Sequence, residues 1–88
     1  MPVIHKVSVP GVEVPIMVPH YALVLTVQMQ GRAICAWYLT NHPESEPKRR
    51  LYVFGTGQPV PDYVGRYIAT VQQGMWVWHY FDEALALP

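Results

Sequence analysis

Apolar and polar residues alternate with a period of two along most of this chain, the spacing of strands that bury one face. In Leu23 to Met29 the side chains of Leu23, Leu25, Val27 and Met29 fall on one side and Val24, Thr26 and Gln28 on the other, so the first set is expected to be buried. Gln30 and Gly31 then reverse the chain into Ala33 to Leu39, where Ala33, Cys35, Trp37 and Leu39 share one face and Ile34, Ala36 and Tyr38 the other. This hairpin is expected at the heart of the core. Two earlier runs, Val3 to Val9 and Val12 to Val18, are divided by Pro10 and Gly11 and read as a hairpin at a sheet margin. Pro15 interrupts the second run and marks an edge or a bulge, because proline cannot donate to a ladder.

Further along, Arg49 to Phe54 reads as a strand, and Arg66 to Gln72 pairs with Met75 to Phe81 about Gln73 and Gly74. Thr40 to Lys48 is too polar to order itself strongly and reads as an exposed, mobile loop. Gly55 to Gly65 is a glycine- and proline-rich loop, and Asp82 to Pro88 a tail with room for one helical turn. No repeat or linker divides residues 1–88, which form a single domain. The expected fold is all-β, a small antiparallel sheet curled into a sandwich or partial barrel of about seven short strands.

Composition sharpens this picture. With 51% hydrophobic and 14% charged residues, the chain is richer in apolar side chains than an ordinary soluble domain of its size. A short chain hides a smaller share of its surface, so part of the apolar excess is expected to meet a partner, and a homo-oligomer is expected. Six basic and six acidic residues cancel, which argues against generic nucleic-acid binding and against an anionic membrane. A single cysteine, Cys35, excludes an internal disulfide and a four-thiolate zinc site and fits a reducing compartment. No export signal or membrane-length apolar run is visible, and the chain reads as cytoplasmic.

Candidate chemistry is sparse. The segment Phe54 to Asp62, FGTGQPVPD, lacks the third glycine of a dinucleotide fingerprint and the lysine of a P-loop. A structural loop is its stronger reading, with an anion nest on the amides of Gly55, Thr56 and Gly57 as the alternative. Lys48, Arg49 and Arg50 form the only basic cluster; a solvated strand edge is the stronger reading, and convergence of Arg49 or Arg50 with Arg66 near the glycines would create a phosphate site. Trp76, Trp78 and Tyr80 project from one face of the last strand and Met75, Val77, His79 and Phe81 from the other. One face is expected in the core and the surplus face at an interface, for which Trp76, Trp78 and Tyr80 are the candidates; a nucleobase stacked on Trp76 or Trp78 is the sharper alternative. His5, His20, His42 and His79 are scattered without metal-ligand spacing, and no metal or other cofactor is expected. Glu13, Glu44, Glu46, Asp82 and Glu83 form no convincing acid pair, Cys35 lies in an apolar run, and Ser8 and Ser45 have no nucleophile elbow, so an enzyme is the weaker class.

The order IHKV, VLTVQMQGRAICAWYL, RRLYVFGTGQPVPD and YIATVQQGMWVWHYFDE resembles a family of small proteins of unknown function encoded by bacteriophages and prophages. The resemblance spans nearly the whole chain and is closest over Phe54 to Pro59, Tyr67 to Val71 and Val77 to Phe81, with Ala69 where the pattern has a glycine. It implies a phage origin and a host-cytoplasm setting but brings no catalytic residue. By analogy with small phage proteins, two binding functions are expected. One is a counter-defence factor that sequesters an anionic nucleotide signal through Arg49, Arg50, Gly55, Thr56, Gly57, Arg66 and Trp76. The other is an inhibitor of a host defence protein of the anti-CRISPR kind, and a structural or assembly protein of the virion is a third alternative.

Overall fold

Two glycines set the hairpins from which the rest of the chain is hung. Gly31 and Gly74 each take the first central position of a two-residue turn with φ near 60°, a conformation that glycine adopts without steric cost. The structure, a computed structural model, describes residues 1–41 and 48–83. Seven strands run through these residues: β1 (Val3–Val9), β2 (Met17–Pro19), β3 (Leu23–Gln30), β4 (Ala33–Thr40), β5 (Lys48–Gly55), β6 (Arg66–Gln73) and β7 (Trp76–Asp82). They form two antiparallel sheets, β1-β4-β3 and β2-β5-β7-β6, packed as a sandwich without closing into a barrel. The expected mobile loop lies, for residues 42–47, outside the described residues, as does the tail over 84–88.

The all-β expectation holds, and two details of it change. The run Val12 to Val18 is not a strand paired with β1. Residues 11–14 make a turn closed by the Val14 amide on the Gly11 carbonyl at 3.2 Å, and only Met17–Pro19 is strand, in the opposite sheet beside β5. β1 pairs instead with β4. Pro15 therefore stands in the segment that carries the chain from one sheet to the other.

The second change is in β3. A bulge between Val24 and Thr26 inserts Leu25 as an extra residue, so the inward phase shifts by one along the strand. Val24 and Val27 both enter the core, while Leu23 and Leu25 stay exposed, Leu25 at 43%. Strict alternation placed Leu23 and Leu25 inside; the bulge is what overrules it.

The core between the sheets holds Val9, Ile16, Val18, Val24, Val27, Ile34, Ala36, Leu51, Val71 and Tyr80. On β4 the inward face is Ile34, Ala36 and Tyr38, and Cys35 lies on the other side, buried against Ser8 Oγ at 3.2 Å.

In the four-stranded sheet β7 lies between β5 and β6, so β5 and β6 run parallel and their connection must cross over. β5 ends level with Trp78 and β6 begins level with Asp82, which obliges residues 56–65 to travel back along β7 before pairing resumes. That crossover covers part of the sheet's outer face and shapes the candidate site.

Candidate functional site

The inner face of the four-stranded sheet carries a buried ion pair. Val18, Arg49 and Leu51 point inward, as do Trp78, Tyr80 and Asp82 on β7. Arg49 Nε and Nη2 donate to Asp82 Oδ1 and Oδ2 at 2.9 Å each, a bidentate pair with both side chains buried. Its remaining N–H groups reach the carbonyls of Pro19 at 2.9 Å, His20 at 2.6 Å and Ala22 at 2.6 Å. All five guanidinium donors are thus engaged. Arg49 ties the β2 to β3 connection to the end of β7, and no donor is left for a phosphate.

The other members of the nucleotide set are dispersed. Arg66 donates to the Val24 carbonyl at 3.1 Å, bridging the sheets at the Asp82 end of β7, and Arg50 lies on the outer face. Gly55 stands five residues beyond Arg50, roughly 17 Å along an extended strand. There the Gly55 to Gln58 turn closes on itself: the Gln58 amide donates to the Gly55 carbonyl at 3.0 Å, and the Gly55 amide to Gln58 Oε1 at 2.9 Å. Gly57 supplies the positive φ of 89° that the turn requires. With the Gly55 amide consumed, the anion nest loses a donor and the structural reading of this loop is the better one. Only Gly55, Thr56 and Trp76 of the proposed set share a depression, of about 350 Å³, together with Met75, Val77 and Trp78.

The tryptophan strand is turned over relative to the interface expectation. Tyr80 is 2% exposed in the core and Trp78 packs against that core, its Nε1 donating to Gln73 Oε1 at 3.0 Å. Trp76, 61% exposed at the strand's start, stacks on Trp78 with centroids 6.1 Å apart. Tyr80 therefore cannot serve an interface in the folded chain. The surplus face is the one with Val77, His79 and Phe81.

That outer face is aromatic. Phe81 lies between Phe54 and Tyr67, edge to face with each at 5.9 and 5.8 Å. Tyr52 flanks Phe54 on β5 and carries the Arg50 guanidinium 5.7 Å from its ring centre. Beside these rings runs a polar chain. His79 holds the Thr56 hydroxyl at Nε2, 2.8 Å, and the Thr70 hydroxyl at Nδ1, 3.1 Å, and Thr70 is bonded to the Tyr67 hydroxyl at 2.6 Å. The signal for this face was present in the sequence: Tyr52 and Phe54, like Val77, His79 and Phe81, recur at period two. What was lacking was which face the core takes; the inner face is the one that carries Leu51, Val71, Tyr80 and the Arg49–Asp82 pair.

Where the crossover passes β5, a cavity of about 160 Å³ opens, lined by Tyr52, Phe54, Pro61, Tyr63, Val64 and Glu83. Gly65 makes this geometry possible. Its φ is 110°, and a Cβ there would lie 2.6 Å from the Asp82 carbonyl oxygen and 2.7 Å from Glu83 Cα. Only glycine lets the loop press this close to the end of β7. Across the cavity the Glu83 carboxylate holds the Tyr52 phenol above its ordinary value of 10.0, with Arg50 opposing.

Among the described residues no three His, Cys, Asp or Glu side chains converge on a metal site, and no helix is long and apolar enough to cross a membrane. The chain belongs to the domain family of unknown function DUF7352, whose pattern matches residues 1–86. No curated protein and no solved structure matches it.

Proposed function

We propose that this DUF7352 domain is a non-enzymatic binding protein that grips a partner protein with the outer face of its four-stranded sheet. The observation that carries the reading is the row of Tyr52, Phe54, Phe81 and Tyr67 on the face turned away from the core. Aromatic side chains offer large contact area at low entropy cost, and they dominate the energetics of protein interfaces. The dispersal of the arginines and the closed Gly55 turn weigh against a phosphate-centred ligand. Resemblance to phage-encoded proteins makes a host defence protein, in the host cytoplasm, the natural partner. A homo-oligomer draws support from the outer face of the other sheet, where Ile4 and Leu23 flank Leu39 across the strands and Leu25 stays exposed nearby.

Capture from host lysate with the wild-type chain and with Phe54→Ser tests this reading, followed by titration of the captured protein. A partner bound by the wild type and at least about tenfold more weakly by the variant is expected, as befits an interface anchor. Equal capture by both would refute the face. A second reading, sequestration of a nucleotide, keeps one favourable observation: Trp76 overhangs the depression beside Gly55 and Thr56, where a base could stack. Calorimetric titration with cyclic and linear nucleotides separates the two, since binding lost in Trp76→Ala supports the nucleotide and silence across the panel removes it.

A further inference from the structure

The cavity under the crossover loop has a chemistry that the partner reading does not use. Its walls are the rings of Tyr52, Phe54 and Tyr63 with Pro61 and Val64, and among the described residues its one ionisable wall other than the phenols is the Glu83 carboxylate. Aromatic faces carry negative electrostatic potential, and a carboxylate among them adds a full negative charge. At about 160 Å³ the space admits a compact group the size of a benzene ring, or of a nitrogen bearing three methyl groups. The charges around it also suit a cation. Asp62 belongs to the turn closed by the Val64 amide on the Pro61 carbonyl, between two lining residues. Arg50 is a like charge nearby, but its guanidinium rests over the Tyr52 ring, a face of this cluster that already takes a cation.

We propose that this cavity is a receptor for an alkylammonium head group, quaternary or methylated, carried by a small molecule or by a lysine side chain. The rings of Tyr52, Phe54 and Tyr63 face the methyl groups, and Glu83 neutralises the charge. Among the described lining side chains a phosphate would find no cation, and a neutral sugar only the two tyrosine hydroxyls and the Glu83 carboxylate. Gly65 sets the crossover backbone against the end of β7, which brings the Pro61 to Val64 segment beside Glu83. Free choline tests the cavity by itself, so this inference stands or falls apart from the partner reading.

The experiment is an NMR titration of the full chain with choline, with its neutral isostere 3,3-dimethylbutan-1-ol, and with a short peptide bearing trimethyllysine. Expected are saturable shifts on the Tyr52, Phe54 and Tyr63 rings and a preference for choline over the neutral alcohol of about tenfold, within the range of a partly desolvated cation over aromatic rings. Glu83→Gln should cut choline affinity by about fivefold or more, and Tyr63→Ala should do likewise through a ring that is 84% exposed and dispensable for the fold. A peptide preference would assign the head group to a side chain, and a choline preference to a small molecule. Equal affinity for choline and the alcohol, absence of saturation with both cations, or undiminished binding in Glu83→Gln would each overturn the proposal.

Discussion

Arg49 and Arg50 are neighbours in the sequence and opposites in the fold. One points into the sandwich, where all five of its donors are satisfied by Asp82 and three carbonyls; the other lies exposed over the Tyr52 ring. The two faces of the four-stranded sheet differ in the same way. The inner face combines Leu51, Val71 and Tyr80 with a charge pair that anchors the β2 to β3 connection, and the outer face presents rings, threonines and a histidine to solvent. The lesson is that residue type alone does not assign a role. An arginine beside a glycine loop suggests phosphate, but a buried guanidinium with no spare donor is architecture, and the residue next to it is the one free for recognition.

The sharpest way to break this comparison is to remove each arginine. Arg49→Ala leaves the Asp82 carboxylate and the carbonyls of Pro19, His20 and Ala22 without their guanidinium, and should cost about 3–5 kcal/mol. Native domains hold only about 5–15 kcal/mol in total, so the variant should be largely unfolded at moderate urea by circular dichroism. Replacing the pair together, Arg49→Met with Asp82→Leu, should recover much of the loss, because two apolar side chains remove the desolvation cost along with the attraction. A single variant as stable as the wild type would sink the architectural role.

Next in size is Gly65→Ala. The new Cβ would press on the backbone of Asp82 and Glu83, and the left-handed φ of 110° is strained for any L side chain. A loss of about 1–3 kcal/mol is expected in urea denaturation. The shift should be local, moving the Tyr63 and Tyr52 resonances far more than those of the three-stranded sheet.

The inner face also sets an alkaline limit. Burial pushes the Tyr80 phenol up to about 12 from an ordinary 10.0, so the folded state holds that proton more tightly than the unfolded chain does. The stability tied to this difference is fully present below pH 10 and is lost as the pH rises from 10 through about 12. Tyr80→Phe should flatten that decline in the denaturation midpoint. If the variant and the wild type weaken in parallel over that window, Tyr80 is not its source.

Much of this architecture was legible in the sequence because period-two alternation is a direct imprint of the pleat. The sequence pattern placed β1, β3, β4, β5, β6 and β7 to within a residue or so, and the glycine turns at Gly31 and Gly74. Two things escaped it. The bulge at Leu25 shifts the inward phase and leaves no composition signal, and the short β2 is selected by pairing with β5 in the four-stranded sheet rather than by its own residues. For the site, alternation sorted Trp76, Trp78 and Tyr80 from Val77, His79 and Phe81 but could not say which set the core takes. On the inward face the Asp82 carboxylate sits beside Tyr80 and meets Arg49, a partner 33 residues away in sequence that alternation cannot connect.

The smallest expected effects lie on the outer face, where they sharpen the comparison most. Arg50→Ala should change stability by less than about 0.5 kcal/mol, as surface substitutions do, against several kcal/mol for the residue beside it. Its consequence should be electrostatic. Arg50 opposes the carboxylate of Glu83 in setting the Tyr52 phenol, so removing the guanidinium should raise that phenol further, while Glu83→Gln, which removes the carboxylate's charge, should lower it towards 10.0. Spectrophotometric or NMR titration of Tyr52 reads both variants on one residue. Opposite displacements would identify Tyr52, Arg50 and Glu83 as one coupled, solvent-accessible group. Displacement in the same direction, or none, would mean that the outer face lacks the electrostatic organisation on which its reading as a recognition surface depends.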